Sequence, residues 1–192
     1  PWKINQPVLD VVLQLWEAGG DIPGSASRTL LALPPRPSQG CSPEELKLYK
    51  AKAREVFVAN EGSKGRRLAV THTLSVASRY AKESCIWFPV HLDFRSRMYY
   101  AVSYLSPQGS DLSKGLLTFA RTAPIGEHGL KWLRIHAANC FGVDKVSMEE
   151  RIKWTIENQF RMFKVAKDPH SESFWKDADS PIQFLAACFE LA

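Results

Sequence analysis

The spacing of the hydrophobic residues changes near residue 86, and this change constrains the fold more than any other feature. Beyond it the period is two, which predicts a strand, or a strand–turn–strand, with one buried face. The apolar side consists of the even-numbered positions Phe88, Val90, Leu92, Phe94, Met98, Tyr100 and Val102, with Ser96 as the exception. The opposite side carries Asp93, Arg95, Arg97 and Tyr99. A chain with this stretch is not expected to be purely helical.

Helical spacing holds before residue 86. Residues 6–17 predict one helix, and the proline-rich residues 19–41 predict a loop. A longer helical pattern follows, but residues 61–65 contain two glycines and are predicted to break it. The two halves would then form an antiparallel helical hairpin over residues 42–84. Its turn would hold the basic side chains Lys64, Arg66 and Arg67.

Start and stop signals give the remaining helices. Ser42 and Ser147 each stand three residues before a glutamate, which is the pattern of a capping box. The helix after Ser147 carries its apolar residues on one face, namely Ile152, Ile156, Phe160 and Phe163. A helix over residues 129–141 is predicted to end at Gly142. The last helix opens at Pro181 and is apolar on nearly every side, which predicts a central position in a core. The fold class is therefore α+β and helix-rich.

Composition limits the function only weakly. The 192 residues include 25 basic and 20 acidic side chains, a net charge of +5 that allows a polyanionic partner without requiring one. The four cysteines are widely spaced without a CxxC pair, which predicts reduced thiols rather than a zinc knuckle or a disulfide framework. No apolar run approaches the roughly 20 residues that cross a bilayer, so no membrane partner is predicted. A start at Pro1 and an apolar final stretch predict part of a longer protein.

The polar side of the period-two stretch is the first candidate site. Residues two apart on a strand point the same way at steps of roughly 6–7 Å. Arg95 and Arg97 could then each bind a phosphate by paired hydrogen bonds, and Tyr99 could stack on a base or sugar. Asp93 could hold one arginine in place. The alternative is a surface strand with an internal ion pair, worth about 0–1 kcal/mol.

Basic side chains elsewhere could contact a nucleic-acid backbone. The candidates are Lys64, Arg66, Arg67 and Lys114. Such contacts require clustering of charge on one surface, and a basic helix surface is usually only solvated. The residues alone leave both interpretations open.

Several motifs occur in one order along the chain. They are Ile86-Trp87-Phe88-Pro89, Asp93-Phe94-Arg95-Ser96-Arg97, Pro107-Gln108-Gly109-Ser110-Asp111 and Lys114-Gly115-Leu116-Leu117-Thr118. The run from Ile135 to Lys145, then Asp179-Ser180-Pro181 and Phe184-Leu185-Ala186, follow them, and Pro1-Trp2-Lys3-Ile4-Asn5 precedes them. Together they resemble the phage-type single-subunit DNA-dependent RNA polymerases over nearly the whole chain, with residues 19–41 the weakest part.

The resemblance implies a right-hand polymerase. Residues 1–41 would end the amino-terminal region, residues 42–84 would form a thumb-like helical hairpin, and residues 85–192 would open the palm. The family's DxxGR element, which helps to hold the template strand and the RNA–DNA hybrid, maps onto Asp93, Arg95, Ser96 and Arg97, with Tyr99 beside it. Ser96 stands where the family has glycine. Because a strand angle suits serine, we predict that this glycine provides room beside nucleic acid.

The resemblance also implies the chemistry of the parent enzyme. That enzyme would join ribonucleotides by two-metal transfer, with Mg²⁺ held by aspartates outside this chain. No catalytic residue and no metal ligand is carried over, so the chain alone is expected to be inactive.

The implied partners are the DNA template, the RNA–DNA hybrid and ribonucleoside triphosphates. The implied state is a monomer, in the cytoplasm of an infected host for a viral enzyme or in an organelle for a cellular one. A rival from another class is a non-enzymatic nucleic-acid-binding module that uses the same Arg95, Arg97 and Tyr99.

Overall fold

The computed structural model describes residues 1–38 and 40–192, and these form six α helices, a 3₁₀ turn and four short strands. The helices are α1 (Gln6–Glu17), α2 (Pro43–Tyr80), α3 (Asp111–Gly115), α4 (Gly126–Phe141), α5 (Met148–Lys167) and α6 (Pro181–Leu191), with the 3₁₀ turn at Phe174–Asp177. The strands are β1 (Trp2–Ile4), β2 (Val90–Leu92), β3 (Met98–Tyr100) and β4 (Leu117–Phe119). The predicted α+β, helix-rich class is confirmed.

Helix α6 lies at the centre of the core, as its all-round apolar sequence predicts. It packs against α1, α3, α4 and α5. Phe184 and Leu185 are fully buried, and the rings of Phe141 and Phe174 approach Phe184 with centroid separations of 5.1 and 5.6 Å. Each buried side chain of this size stabilises the fold by about 1.5–3 kcal/mol. Helices from both ends of the sequence therefore share one core.

The start of α6 is capped by a residue from α3. Asp111 Oδ2 accepts the backbone N–H of Ile182 at 2.8 Å, and Oδ1 accepts both the backbone N–H and the side-chain Nε2–H of Gln183 at 3.1 Å. A carboxylate here satisfies orphan N–H groups and opposes the positive end of the helix dipole. The short helix α3 and the central helix α6 are therefore fixed to each other.

Two strands far apart in sequence pair at the edge of the core. β1 and β4 are antiparallel, with Trp2 opposite Phe119 and Ile4 opposite Leu117. The rings of Trp2 and Phe119 stack with centroids 4.7 Å apart. The backbone of Trp2 also exchanges hydrogen bonds of 2.9 and 2.7 Å with Ile86. Strands of three residues are too short to give a recognisable apolar pattern, so the sequence predicts neither β1 nor β4.

The helical hairpin predicted for residues 42–84 is wrong, because α2 runs unbroken over 38 residues. Its predicted capping box is present: Ser42 Oγ accepts the N–H of Glu45 at 3.2 Å, and the Glu45 carboxylate accepts the N–H of Ser42 at 2.8 Å. The glycines at 62 and 65 each weaken a helix by about 1 kcal/mol. Contacts from residues 27–31, which cross the helix at this point, offset that cost.

The face predicted for α5 is also wrong. The side chains that the core buries are Thr155, Met162 and Val165. Thr155 faces the core, and its hydroxyl donates to the backbone oxygen of Arg134 on α4 at 2.8 Å. The predicted apolar residues Ile156, Phe160 and Phe163 are exposed. The end of α4 at Gly142, by contrast, is confirmed, with a φ angle of 111° at that glycine.

Candidate nucleic-acid interface

The period-two stretch forms a β-hairpin that stands on the surface. β2 and β3 are antiparallel, with His91 opposite Tyr99 and Leu92 opposite Met98. The strand–turn–strand alternative is therefore confirmed, but the predicted buried face is not buried. Leu92 and Met98 are exposed, and Phe94 at the turn is 92% exposed. The alternation of apolar residues predicted the two strands correctly, but the burial that it predicted for one face is wrong.

Asp93 organises the turn of this hairpin. Its Oδ1 accepts the backbone N–H of Arg95 at 2.8 Å and that of Arg97 at 2.9 Å. Its own N–H donates to the backbone oxygen of Arg97 at 2.9 Å, and its backbone oxygen accepts the N–H of Ser96 at 3.0 Å. A short carboxylate that binds the backbone two residues further on is a strong turn former. The carboxylate of Asp93 therefore holds the turn closed.

The candidate residues do not line one side of a continuous strand, which corrects the predicted 6–7 Å spacing. Asp93, Arg95 and Arg97 belong to the turn, and only Tyr99 lies on a strand, where its ring stacks on that of His91 with centroids 5.9 Å apart. The reason is the hydrogen bonding of Asp93, which reverses the chain within five residues. The turn still presents both arginines close together in sequence on one exposed tip.

The two arginines differ in their partners. Arg95 Nε lies 3.7 Å from Asp93 Oδ2, and its guanidinium sits over the ring of Phe94 at 5.1 Å. An exposed pair of this length contributes little to stability. Arg97 is exposed and makes no ion pair with any residue that the structure describes. Its guanidinium is therefore free to bind an external anion by paired hydrogen bonds.

Ser96 has a left-handed backbone. Its φ is 61°, the only positive value at a non-glycine residue within the described ranges. The prediction that a strand angle suits serine here is wrong, because Ser96 lies in the turn that Asp93 closes and not on a strand. Residues with a Cβ atom rarely adopt this region. A left-handed angle is therefore one sufficient reason for the glycine that the family resemblance implies at this position.

Gln108 ties the hairpin to the core, a role that the sequence did not predict. Its side-chain Nε2 donates to the backbone oxygen of Met98 at 3.0 Å, and its Oε1 accepts the N–H of Tyr100 at 3.1 Å. The amide thus continues the sheet beside β3. Ser113 of α3 fixes the same loop, since its hydroxyl accepts the N–H of Ser106 at 2.6 Å. The motif Pro107-Gln108-Gly109 is the signal that could have revealed this link.

The other basic candidates lie apart from the hairpin in the chain. Lys64 pairs with Glu61, and Arg67 donates to the backbone oxygen of Arg28 at 3.5 Å. With Arg66, they lie in the middle of α2 and not in a helix turn as predicted. Lys114, on α3, lines a cavity of about 580 Å³ together with His136 and Gln183.

The first half of α2 adds basic residues that the sequence interpretation missed. Residues 43–61 contain no buried side chain, so this half of the helix projects from the core. Its exposed basic residues are Lys47, Lys50, Lys52 and Arg54. A basic residue at almost every second position was the available signal. The four basic side chains make residues 47–54 locally positive, but Glu44, Glu45, Glu55 and Glu61 leave residues 43–61 without net charge. This half of the helix is therefore a weaker candidate for binding a polyanion than a uniformly basic surface.

The described histidines, cysteines and acidic residues were compared with the requirements of a metal site and of a reactive thiol. Among the described residues, no group of three or more His, Cys, Asp or Glu side chains is placed to hold a metal ion. The four cysteines are free thiols, and burial raises the pKa of Cys140 and of Cys188 to about 12. Burial also lowers the pKa of His136, which lies 3.5 Å from the Cys140 sulfur. Of the helices described, none is long and apolar enough to cross a membrane.

Comparison with known proteins gives one consistent result. Residues 123–192 match the family model for DNA-dependent RNA polymerase. The whole chain is 43% identical to T7 RNA polymerase of Escherichia phage T7 and 41% identical to the DNA-directed RNA polymerase of Enterobacteria phage T3, and it covers 22% of each. It is 34% identical to the mitochondrial DNA-directed RNA polymerase of Neurospora crassa, of which it covers 14%. The chain thus spans about a fifth of the length of these phage relatives.

Proposed function

The chain belongs to the phage-type single-subunit DNA-dependent RNA polymerases, and on that premise we propose that it holds the template strand and the RNA–DNA hybrid within a longer enzyme. The observation that carries this proposal is the hairpin turn, where Asp93 fixes the backbone and leaves the exposed Arg97 without an acidic partner among the described residues. The backbone of Arg97 is fixed, and its planar guanidinium loses less freedom per hydrogen bond to a phosphate than a flexible ammonium group would.

The neighbouring side chains suit the same ligand. Phe94 and Tyr99 offer exposed aromatic surface, and Arg95 adds a second positive charge at the turn. Aromatic rings accept bases of any sequence by stacking, and arginines bind phosphates without reading bases. An A-like hybrid is recognised through its shape and backbone. The combination therefore favours grip along the nucleic acid rather than recognition of particular bases.

We propose that basic residues outside the hairpin also contact the nucleic-acid backbone. The projecting half of α2 (residues 43–61) would follow the backbone of the nucleic acid, with Lys64, Arg66, Arg67 and Lys114 as additional contacts. We assign residues 1–41 to the end of the amino-terminal region, residues 42–84 to a thumb made of one long helix in place of a hairpin, and residues 85–192 to the start of the palm. The non-enzymatic rival is not favoured, because the relatives are polymerases along the whole chain.

The intact enzyme would polymerise ribonucleoside triphosphates on a DNA template as a monomer. Members of this family use Mg²⁺, and we expect the aspartates that hold it to lie in other parts of the enzyme. On that expectation the chain alone should not synthesise RNA. The enzyme would act in the host cytoplasm if it is viral, or in an organelle if it is cellular.

A salt titration tests the proposed contact of Arg97. In Arg97→Ala, the affinity for a fluorescent RNA–DNA hybrid with a single-stranded template overhang should fall for every sequence tested. The slope of log affinity against log salt should decrease by roughly one unit, because one phosphate contact releases one counterion fewer.

Lys167→Ala provides the matched control, since it also removes one exposed positive charge, on α5. Its slope should stay at the wild-type value. Equal slopes for wild type and Arg97→Ala would exclude a phosphate contact at Arg97.

A further inference from the structure

Helix α2 changes character at its two glycines. Before Gly62 no side chain of the helix is buried, whereas Val70, Leu74 and Ala77 beyond Gly65 belong to the core. The projecting half (residues 43–61) therefore depends on the backbone near these glycines for its direction. Glycine is the residue that leaves a helix backbone most freedom at such a point.

Close packing does not account for these glycines. A Cβ atom at Gly62 would meet only the flexible end of Arg66, at 3.6 Å, and a Cβ atom at Gly65 would have nothing within 4 Å. Alanine would fit at both positions and would favour the helix. The glycines therefore weaken the helix without any steric need, at the boundary between its buried and its projecting half.

A strap, formed by residues 27–31, crosses the helix at the same place. The side chain of Asn60 binds both backbone groups of Leu31, accepting its N–H at 2.9 Å and donating to its oxygen at 3.0 Å. Ser63 donates to the backbone oxygen of Ser27 at 3.0 Å. The strap thus holds α2 on the two sides of Gly62.

The strap is itself anchored to the core. The guanidinium of Arg28 lies over the ring of Trp16 at 4.0 Å, and its Nη2 donates to the backbone oxygen of Trp16 at 2.6 Å. Trp16 belongs to α1, which packs against α6. A connection therefore runs from the core through the strap to Asn60, whose hydrogen bonds with Leu31 lie on the projecting side of the glycines.

We infer that α2 is jointed at Gly62 and Gly65, and that Asn60 is a positioning residue that fixes the direction of the projecting half through the strap. Loss of the Asn60 contact would free the joint, and replacement of the glycines would stiffen it again. The joint concerns the protein alone, so its test does not depend on nucleic-acid binding. Its use in gripping a hybrid rests on the proposed function.

Two native cysteines allow a direct measurement. Cys41 and Cys85 are partly exposed and bracket α2, whereas the other two cysteines are buried. Spin labels at this pair report the end-to-end distance by pulsed electron spin resonance. A straight helix of 38 residues spans about 57 Å, and a bend of about 60° at its middle would shorten this to roughly 49 Å.

The glycine replacements are expected to reverse the effect of Asn60→Ala on the distance distribution. The wild-type protein should show one narrow distance distribution, and Asn60→Ala should broaden it towards shorter distances by several ångströms. The triple variant that adds Gly62→Ala and Gly65→Ala should restore the narrow distribution. Glu55→Ala, an exposed change on the same half of the helix, is the matched control and should leave the distribution narrow.

Three outcomes would overturn the inference. An unchanged distribution in Asn60→Ala would show that Asn60 does not position the helix. A triple variant that stays broad would locate the bend away from the glycines. Loss of helical circular dichroism in Asn60→Ala would show that the projecting half unfolds rather than bends. If the suppression holds while Arg97→Ala leaves hybrid binding unchanged, the joint stands and the proposed function fails.

Discussion

Replacement of Ser96 by glycine should stabilise the turn of the β2–β3 hairpin. The φ angle of 61° at Ser96 costs a residue with a Cβ atom about 1–2 kcal/mol, and glycine removes that cost. Glycine also gives the unfolded chain more freedom, which costs about 0.4–1 kcal/mol. The expected net gain is therefore about 0.8 kcal/mol, or roughly four-fold in the opening equilibrium of the hairpin.

Hydrogen exchange at the turn provides the assay, because opening of a surface hairpin would not register in global unfolding. The reporter amides are those of Ser96 and Arg97, which donate to Asp93. Their protection should rise about four-fold in Ser96→Gly and stay near the wild-type value in Ser96→Ala, because alanine keeps the Cβ atom. In Ser96→Val it should fall, since a β-branched residue tolerates this angle least.

Equal protection in the glycine and alanine variants would refute the assignment of this glycine position to backbone angle. The affinity for the hybrid distinguishes the backbone angle from room beside the nucleic acid as the reason for glycine. If the angle is the whole reason, Ser96→Gly and Ser96→Ala should bind the hybrid with the same affinity. Tighter binding by the glycine variant at unchanged protection would show that room beside the nucleic acid matters instead.

Three further outcomes follow from contacts in the core and at helix ends. Asp111→Ala should lower the free energy of unfolding, measured in urea, by about 3 kcal/mol, because it leaves N–H groups of α6 without a partner. A loss smaller than about 1 kcal/mol would show that Asp111 does not cap α6. Iodoacetamide at pH 8 should modify the two partly exposed cysteines and spare Cys140 and Cys188, whose burial raises their pKa to about 12, until the protein unfolds; mass spectrometry of the native protein would detect any exception. Hydrogen bonds from Ser147 lower the pKa of Glu150 in the folded protein. The stability that this carboxylate contributes is therefore present above its unfolded pKa of about 4.3 and is lost as the pH falls through its folded pKa. Glu150→Gln should reduce the acid dependence of the melting temperature, and a pH profile identical to that of the wild type would contradict this.

Local signals were sufficient where an element is stabilised by its own residues. The capping boxes at Ser42 and Ser147 and the left-handed end at Gly142 were predicted because each depends on hydrogen bonds or angles within a few residues. The central position of α6 followed from its composition alone, since an apolar surface on all sides requires neighbours on all sides.

Distant contacts decided the elements that were predicted wrongly. Two glycines within residues 61–65 predicted a break in α2, but Asn60 and Ser63 form hydrogen bonds with residues more than 25 positions earlier. The buried face of α5 includes Thr155, whose hydroxyl binds the backbone of α4. Apolar periodicity contains neither contact, so it could not have indicated them.

The role of the candidate site stays a prediction, and its strand geometry was predicted wrongly. The arginines and Asp93 were identified from their sequence, and the resemblance pointed to a glycine at position 96. That glycine was the available signal for a turn, because a left-handed angle is the commonest reason for glycine in a short polar stretch. A strand pattern on both sides concealed it.

The pairing of β1 with β4 and the central place of α6 set the order in which the molecule can assemble on a ribosome. Ile4 leaves the exit tunnel long before its partner Leu117 is made, a delay of roughly 6–20 s at ordinary rates of translation. The core residues of α1 then wait still longer for Ile182 and Phe184. Nascent chains of this segment therefore expose Val8, and its apolar neighbours on α1, until α6 has been made, which is the kind of transient apolar exposure that favours aggregation.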